Sequence, residues 1–415
     1  MVSISFFLFD LSTVGGYDQC ALNCFLLSAI GLSRYPNYMR PIVTLITLLI
    51  TSTFSLAQTP AATPAPGGAL RHLLYVAVPG IRDYAQYGGN GILVFDIDHD
   101  HKFVRRINVP AMGVPNKPQA SKGICANSTT GKLYVSNTKS LTCIDLTNDA
   151  ILWEKTYDDG CDRMSISHDG KTIFEPTLEG KYWHVIDAAT GDEVTRIPTD
   201  AGAHNTVFGL DGRHVYLAAL HSPMMVVADA QTRAKETVVG PFAAPIRPFT
   251  INAACTLCYV NVNDLLGFEI GDLKTGKKLF RVEVQGFEKG DTKRHGCPSH
   301  GIGLTPDEKE LWVTDAHNSR LHIFDSTVMP PKQVQSIELH DQPGWITFSI
   351  DGRFAYPSTG EIVDVKTHKV ISTLKDEHGM EVQSEKLMEI DFYGGKPVHA
   401  GDQFGLGRAG TPTTR

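Results

Sequence analysis

The 415-residue chain carries little charge for its size and no excess of basic residues. Only 20% of residues are charged, with 38 Lys and Arg against 45 Asp and Glu, a formal net charge of −7. Proteins that grip phosphate backbones carry a basic stripe whose contacts release counterions, so nucleic acid is not the expected partner. Several catalytic signatures are also missing. There is no Gly-x-Ser-x-Gly elbow, no phosphate loop of the Gly-x4-Gly-Lys-Ser/Thr kind and no His-x-x-x-His pair, which removes the local marks of several hydrolase and nucleotide-binding classes. Cysteines number eight, and Cys255-x-x-Cys258 lacks the second pair that would complete a structural zinc site.

Long apolar runs are scarce too. Of two N-terminal apolar stretches, the first, around Cys20–Leu32, is interrupted by Asn23; the second follows Met39-Arg40-Pro41, runs from Ile42 to Leu56 and ends Ser55-Leu56-Ala57. One basic residue, a short apolar core and a small-x-small end match a secretory signal peptide with cleavage near Ala57. The competing reading is a membrane anchor, but a span needs roughly 20 apolar residues and this run contains several Ser and Thr. Residues 1–57 are thus expected to be leader, with 39–57 the signal peptide and 1–38 an upstream extension. A Pro/Ala linker over 58–69 follows, then a folded domain over 70–408 and a tail over 409–415. No stable span is expected after cleavage, and the location implied is periplasmic or secreted. Of the cysteines, 125, 143, 161, 255, 258 and 297 fall in the mature chain. Cys125 and Cys143 sit in strand patterns as small buried groups, whereas Cys161 and Cys297 are candidates for a disulfide.

What the chain does have is an internal repeat. A strand ending in Asp, then a short turn often containing Thr, recurs seven times, at Asp96, Asp145, Asp187, Asp229, Asp272, Asp325 and Asp364. The intervals cluster near the 40–45 residues of a four-stranded propeller blade. A second marker, upstream of the later aspartates, is a tight turn between short strands: Ser167-His-Asp-Gly-Lys, Gly209-Leu-Asp-Gly-Arg, Thr305-Pro-Asp-Glu-Lys and Ser349-Ile-Asp-Gly-Arg. Asp-Gly between apolar runs signals a hairpin. Each repeat therefore reads as strands A, B, C and D, and the expected fold is an all-β, seven-bladed β-propeller. The phrases Leu133-Tyr-Val-Ser-Asn, Tyr259-Val-Asn-Val-Asn and Leu304-Thr-Pro-Asp-Glu-Lys-Glu-Leu-Trp-Val-Thr-Asp resemble the YVTN-repeat family of β-propellers. That resemblance implies the fold and leaves the activity open: the wider superfamily holds ligand-binding propellers, a metal-dependent streptogramin lyase and quinoprotein amine dehydrogenase subunits.

The first repeat lacks strand A. Leu387–Phe392, followed by the turn-like Tyr393-Gly-Gly-Lys, is the expected substitute, pairing with the N-terminal sheet to close the ring and cover its edge.

Alternating strand direction puts the A–B and C–D turns on one face, and the D–A and B–C loops on the other. The long insertions (79–91, 110–121, 285–299 and 375–386) all fall on the second face, so binding is expected there. Its candidate ligand-binding residues are Lys122, Asp162, Arg163, Arg247 and Trp345 ahead of the A strands, with Arg82 and Tyr84 in a B–C loop. His204 and His300 occupy equivalent registers and are candidate ligands for a divalent transition metal, since imidazole with carboxylate suits such ions. His317 and Glu175 are then candidate catalytic bases. Two functions stay open: binding of a small ligand or protein partner at this face, or a metal-dependent, lyase-like enzyme there. Asp98-His-Asp-His101 lies on the opposite face and is expected to be surface charge.

Overall fold

The computed structural model describes residues 68–114, 117–292 and 296–405; the leader, most of the linker and the residues from 406 onward lie outside them. Seven sheets of four or five antiparallel strands follow one another as the blades of a propeller. The A strands of blades 2 to 7 are Ser121–Asn127, Ser165–Ile166, Ala203–Phe208, Ile246–Ile251, Ile302–Leu304 and Ile346–Phe348.

The marker aspartates do the same job in each blade. Every C strand ends on one, at residues 96, 145, 187, 229, 272, 325 and 364. Each carboxylate then accepts a backbone N–H from two or three residues further on, for example Thr147 to Asp145 at 2.7 Å and Thr367 to Asp364 at 2.8 Å. This is the Asx-turn chemistry that makes Asp a turn former. Four residues past the aspartate the backbone is left-handed in six blades, at Asp100, Asp149, Gly191, Arg233, Gly276 and His368. Glycine occupies only two of those positions, so the aspartate is a steadier marker than Thr-Gly.

Burial follows strand position. B and C strands are packed between neighbouring blades on both faces, and strands such as Lys132–Asn137 and Gly91–Asp96 are buried almost throughout. D strands lie at the rim, and Ile151–Thr156 and Lys278–Glu283 alternate exposed with half-buried residues. Apolar side chains interlock between blades, as where Trp312 of blade 6 meets Phe348 of blade 7 edge-on at 5.4 Å.

Blade 1 is built from both ends of the domain. The strand Leu70–Val78 pairs with Leu387–Tyr393 in the register Leu73↔Ile390. The chain then turns through Gly394 and Gly395, both at positive φ, and Lys396–Ala400 returns along Leu387–Tyr393 as a fifth, innermost strand. Residues 401–405 continue across the channel. The Gln403 side chain accepts from Ile124 N and donates to Met164 O, while Trp345 Nε1–H donates to Gln403 O at 2.7 Å. One short segment thus touches blades 2, 3 and 7 and fills the axis between them.

Candidate functional site

Arg163 is the hub of the channel mouth. It stands just before the short A strand of blade 3, and its guanidinium lies over the Trp345 ring of blade 7, 4.6 Å from the centroid. From blade 4, His204 presents Nε2 to Arg163 at 3.2 Å and Nδ1 to Asp162 Oδ2 at 2.6 Å. A guanidinium can only donate. Nε2 therefore accepts from Arg163, and the ring proton sits on Nδ1, donating to Asp162. Burial lowers the His204 pKa, in keeping with that neutral imidazole. Burial by itself would raise Asp162; the neighbouring His204, Lys122 and Arg163 outweigh it and hold the carboxyl at about 2.

Arg163 also reaches Glu385, at the end of the last D–A loop, through a short ion pair. The same oxygen, Glu385 Oε2, accepts from Lys386 Nζ at 2.8 Å. Lys386 is buried, and that burial, with Arg163 beside it, pulls its pKa down to about 7 against the pull of Glu385. Its ammonium also donates to Gly80 O at 3.0 Å, which ties the 79–90 loop to the mouth. Gly80 is required there: a Cβ would fall 1.7 Å from Ser384 Oγ and 2.7 Å from Ser384 Cα.

Several buried polar atoms around this hub have no hydrogen-bond partner: Arg163 Nε, Asp162 Oδ1 and both amide atoms of Asn205. Such atoms are rare in folded proteins and mark places where water or a ligand group is accommodated. Two concavities, of about 520 and 540 Å3, lie elsewhere, one between the rim strands of blades 5 and 6 and one on the opposite face beside His101 and Arg353. Neither gathers comparable chemistry.

The other expected site residues are distributed around this centre. Lys122 acts on Asp162 and Lys386 electrostatically. Arg247 turns to Asn263 Oδ1 at 2.7 Å and to Gly296 O at 3.2 Å, bracing the end of the 285–299 loop. His300 donates from Nδ1 to Gly344 O, and its ring lies 6.1 Å from Trp345. Arg82 is exposed and Tyr84 half-buried on their loop. Glu175 is fully buried and accepts from Asp162 N at 2.7 Å; burial pushes its pKa well above the carboxylate range, so it favours holding a proton over taking one. His317 lies in blade 6 beneath Gly290, where a Cβ would stand 2.0 Å from its ring, and its Nδ1 has no partner.

Both ring nitrogens of His204 are engaged, and neither it nor His300 belongs to a group of three donors with metal-binding spacing among the described residues. All six described cysteines are free thiols, Cys161 and Cys297 included. On the opposite face, His101 departs from the expected surface charge: it is buried between Phe354 and Tyr356, with Nε2 2.9 Å from the Tyr356 hydroxyl. Glu385 and Gln403, missed in the sequence, complete the mouth. The Gly394-Gly395 pair was the available signal for the returning strand that carries Gln403, because a two-residue glycine loop sets up a hairpin.

The fold places the chain in the class of seven-bladed β-propellers. Compared with family models and with curated proteins, it matches none. Among the described residues no helix is long and apolar enough to cross a membrane.

Proposed function

We propose that this chain is an exported propeller of the YVTN-repeat kind that binds a small carboxylate-bearing ligand at the channel mouth. The observation that carries the reading is the setting of Glu385. Its carboxylate rests between the Arg163 guanidinium and the Lys386 ammonium, and that guanidinium lies over the face of Trp345. Arginine stacked on an aromatic ring, with a lysine alongside, is the chemistry of carboxylate recognition. A ligand carboxylate can take the position of Glu385, and the unpartnered Arg163 Nε and Asn205 amide supply further contacts. The long loops on this face support the same placement.

Calorimetric titration of the purified chain with a panel of mono- and dicarboxylates tests the reading. A ligand that binds the wild type and binds Arg163→Met at least tenfold more weakly supports it. A panel without a binder, or a binder indifferent to Arg163→Met in a folded variant, overturns it.

A further inference from the structure

A second cluster lies at the ring closure, away from the mouth. His72, Asp391 and His399 are directly opposite one another on three neighbouring strands of blade 1. Residues in register across an antiparallel sheet point to the same face, and Glu389, two residues before Asp391, shares that face. Three donors converge: His72 Nδ1 lies 3.1 Å from Glu389 Oε1 and 2.8 Å from Asp391 Oδ1. His399 Nδ1 stands outside that trio, 3.1 Å from the other Asp391 oxygen, Oδ2. We infer that His72, Glu389, Asp391 and His399 form a zinc-binding site that clamps the two ends of the propeller domain together.

Three observations support the assignment. Both carboxylates are almost completely buried, with side chains 1% and 3% exposed, yet among the described residues their ion-pair partners are imidazoles and not lysine or arginine. Buried carboxylates side by side must be neutralised, by a shared proton or by a cation that takes its place. The donor set, two imidazoles and two carboxylates, suits a tetrahedral zinc ion. In such a site, metal–ligand bonds near 2.0 Å place the ligand atoms about 3.3 Å apart, so the gaps of 2.8 and 3.1 Å from His72 to the two carboxylates need widen only by a few tenths of an ångström, while the half-exposed His399 ring turns in to complete the set. Finally, the surroundings hold the donors in place: His72 N donates to Asp98 Oδ2 at 2.9 Å, and Ile350 N donates to Glu389 Oε2 at 2.6 Å. The His399 side chain is about half exposed, which leaves an approach from solvent.

The consequence is structural. One ion would bridge the first strand, the closing strand and the returning strand, so binding should strengthen the closure by mass action on the folded state. This site is independent of the mouth.

The experiment is zinc titration of the metal-stripped full chain by calorimetry, with melting curves recorded with and without zinc. One equivalent is expected to bind, and the melting temperature to rise. His399→Gln, at the most exposed donor, is expected to fold normally and bind zinc at least tenfold more weakly; His72→Gln/His399→Gln is expected to lose it. The mouth variant His204→Gln/His300→Gln is expected to keep it. Absence of zinc binding by the wild type overturns the assignment. So does zinc binding that survives in a folded His72→Gln/His399→Gln variant or disappears in the mouth variant.

Discussion

Trp345 hangs its indole N–H on the backbone carbonyl of Gln403, 2.7 Å away, so the floor of the channel mouth comes from the last described turn of the chain. Phe404 packs against the same ring at 5.6 Å, and Arg163 covers it from blade 3. The returning segment is therefore part of the mouth and not an appendage.

Deleting residues 396–415 leaves the inner edge of Leu387–Tyr393 unpaired and Trp345 without its acceptor. The expected outcome is a folded β-rich domain with a lower melting temperature and red-shifted tryptophan emission, read by circular dichroism and fluorescence. Deleting from 386 removes the closing strand as well and is expected to abolish cooperative unfolding. An unchanged melting curve for the longer deletion would contradict the closure.

Arg163→Met removes one partner of a buried ion pair, so the Glu385 carboxylate loses its guanidinium in a desolvated setting. Breaking such pairs typically costs about 3–5 kcal/mol, which denaturant titration should register. Adding Glu385→Gln removes the stranded charge and should restore part of that loss. The pair is coupled, so the two effects should not add.

His101 gives a pH dependence with a defined sign. Burial lowers its pKa from 6.5 to about 4 in the folded protein. Between those values the unfolded chain binds more protons than the folded one, so stability falls as pH drops from 6.5 towards 4. The full span amounts to about 3 kcal/mol at 1.36 kcal/mol per unit. His101→Phe cannot titrate and should flatten the stability profile over that window, measured by urea unfolding at a series of pH values.

Gly80→Ala would drive a methyl group into Ser384, where the 79–90 loop meets the segment leading to Lys386. The two backbones must separate, which loosens the Lys386 contact to Gly80 O. A lower melting temperature is expected, with weaker binding of any mouth ligand. Gly379→Ala, in open space though also at positive φ, is the control for a glycine substitution on the neighbouring loop and should have the smaller effect.

Features that depend on a few neighbouring residues were legible in the sequence. The aspartate that ends each C strand accepts N–H groups within three residues of itself, so its turn repeats wherever the aspartate does. The sorting of long loops to one face follows from strand alternation alone. Legibility stopped where partners are distant. His204 read as a candidate metal ligand from its residue type and register, and its hydrogen bonds to Arg163 and Asp162 are set by the fold alone. His101 read as surface charge because its neighbours in sequence are acidic, whereas its environment is set by Phe354 and Tyr356, more than two hundred residues on.

The sequence by itself determined the blade count, the turn chemistry and the face that carries the long loops, because each is encoded within the span of one repeat. Tertiary structure alone decided which side chains meet at the mouth and at the ring closure. Arg163 and Glu385 are separated by 222 residues, and His72 and Asp391 by 319. Closing the ring brings such residues within hydrogen-bonding distance, and no local pattern records which partner an arginine or a histidine will find there.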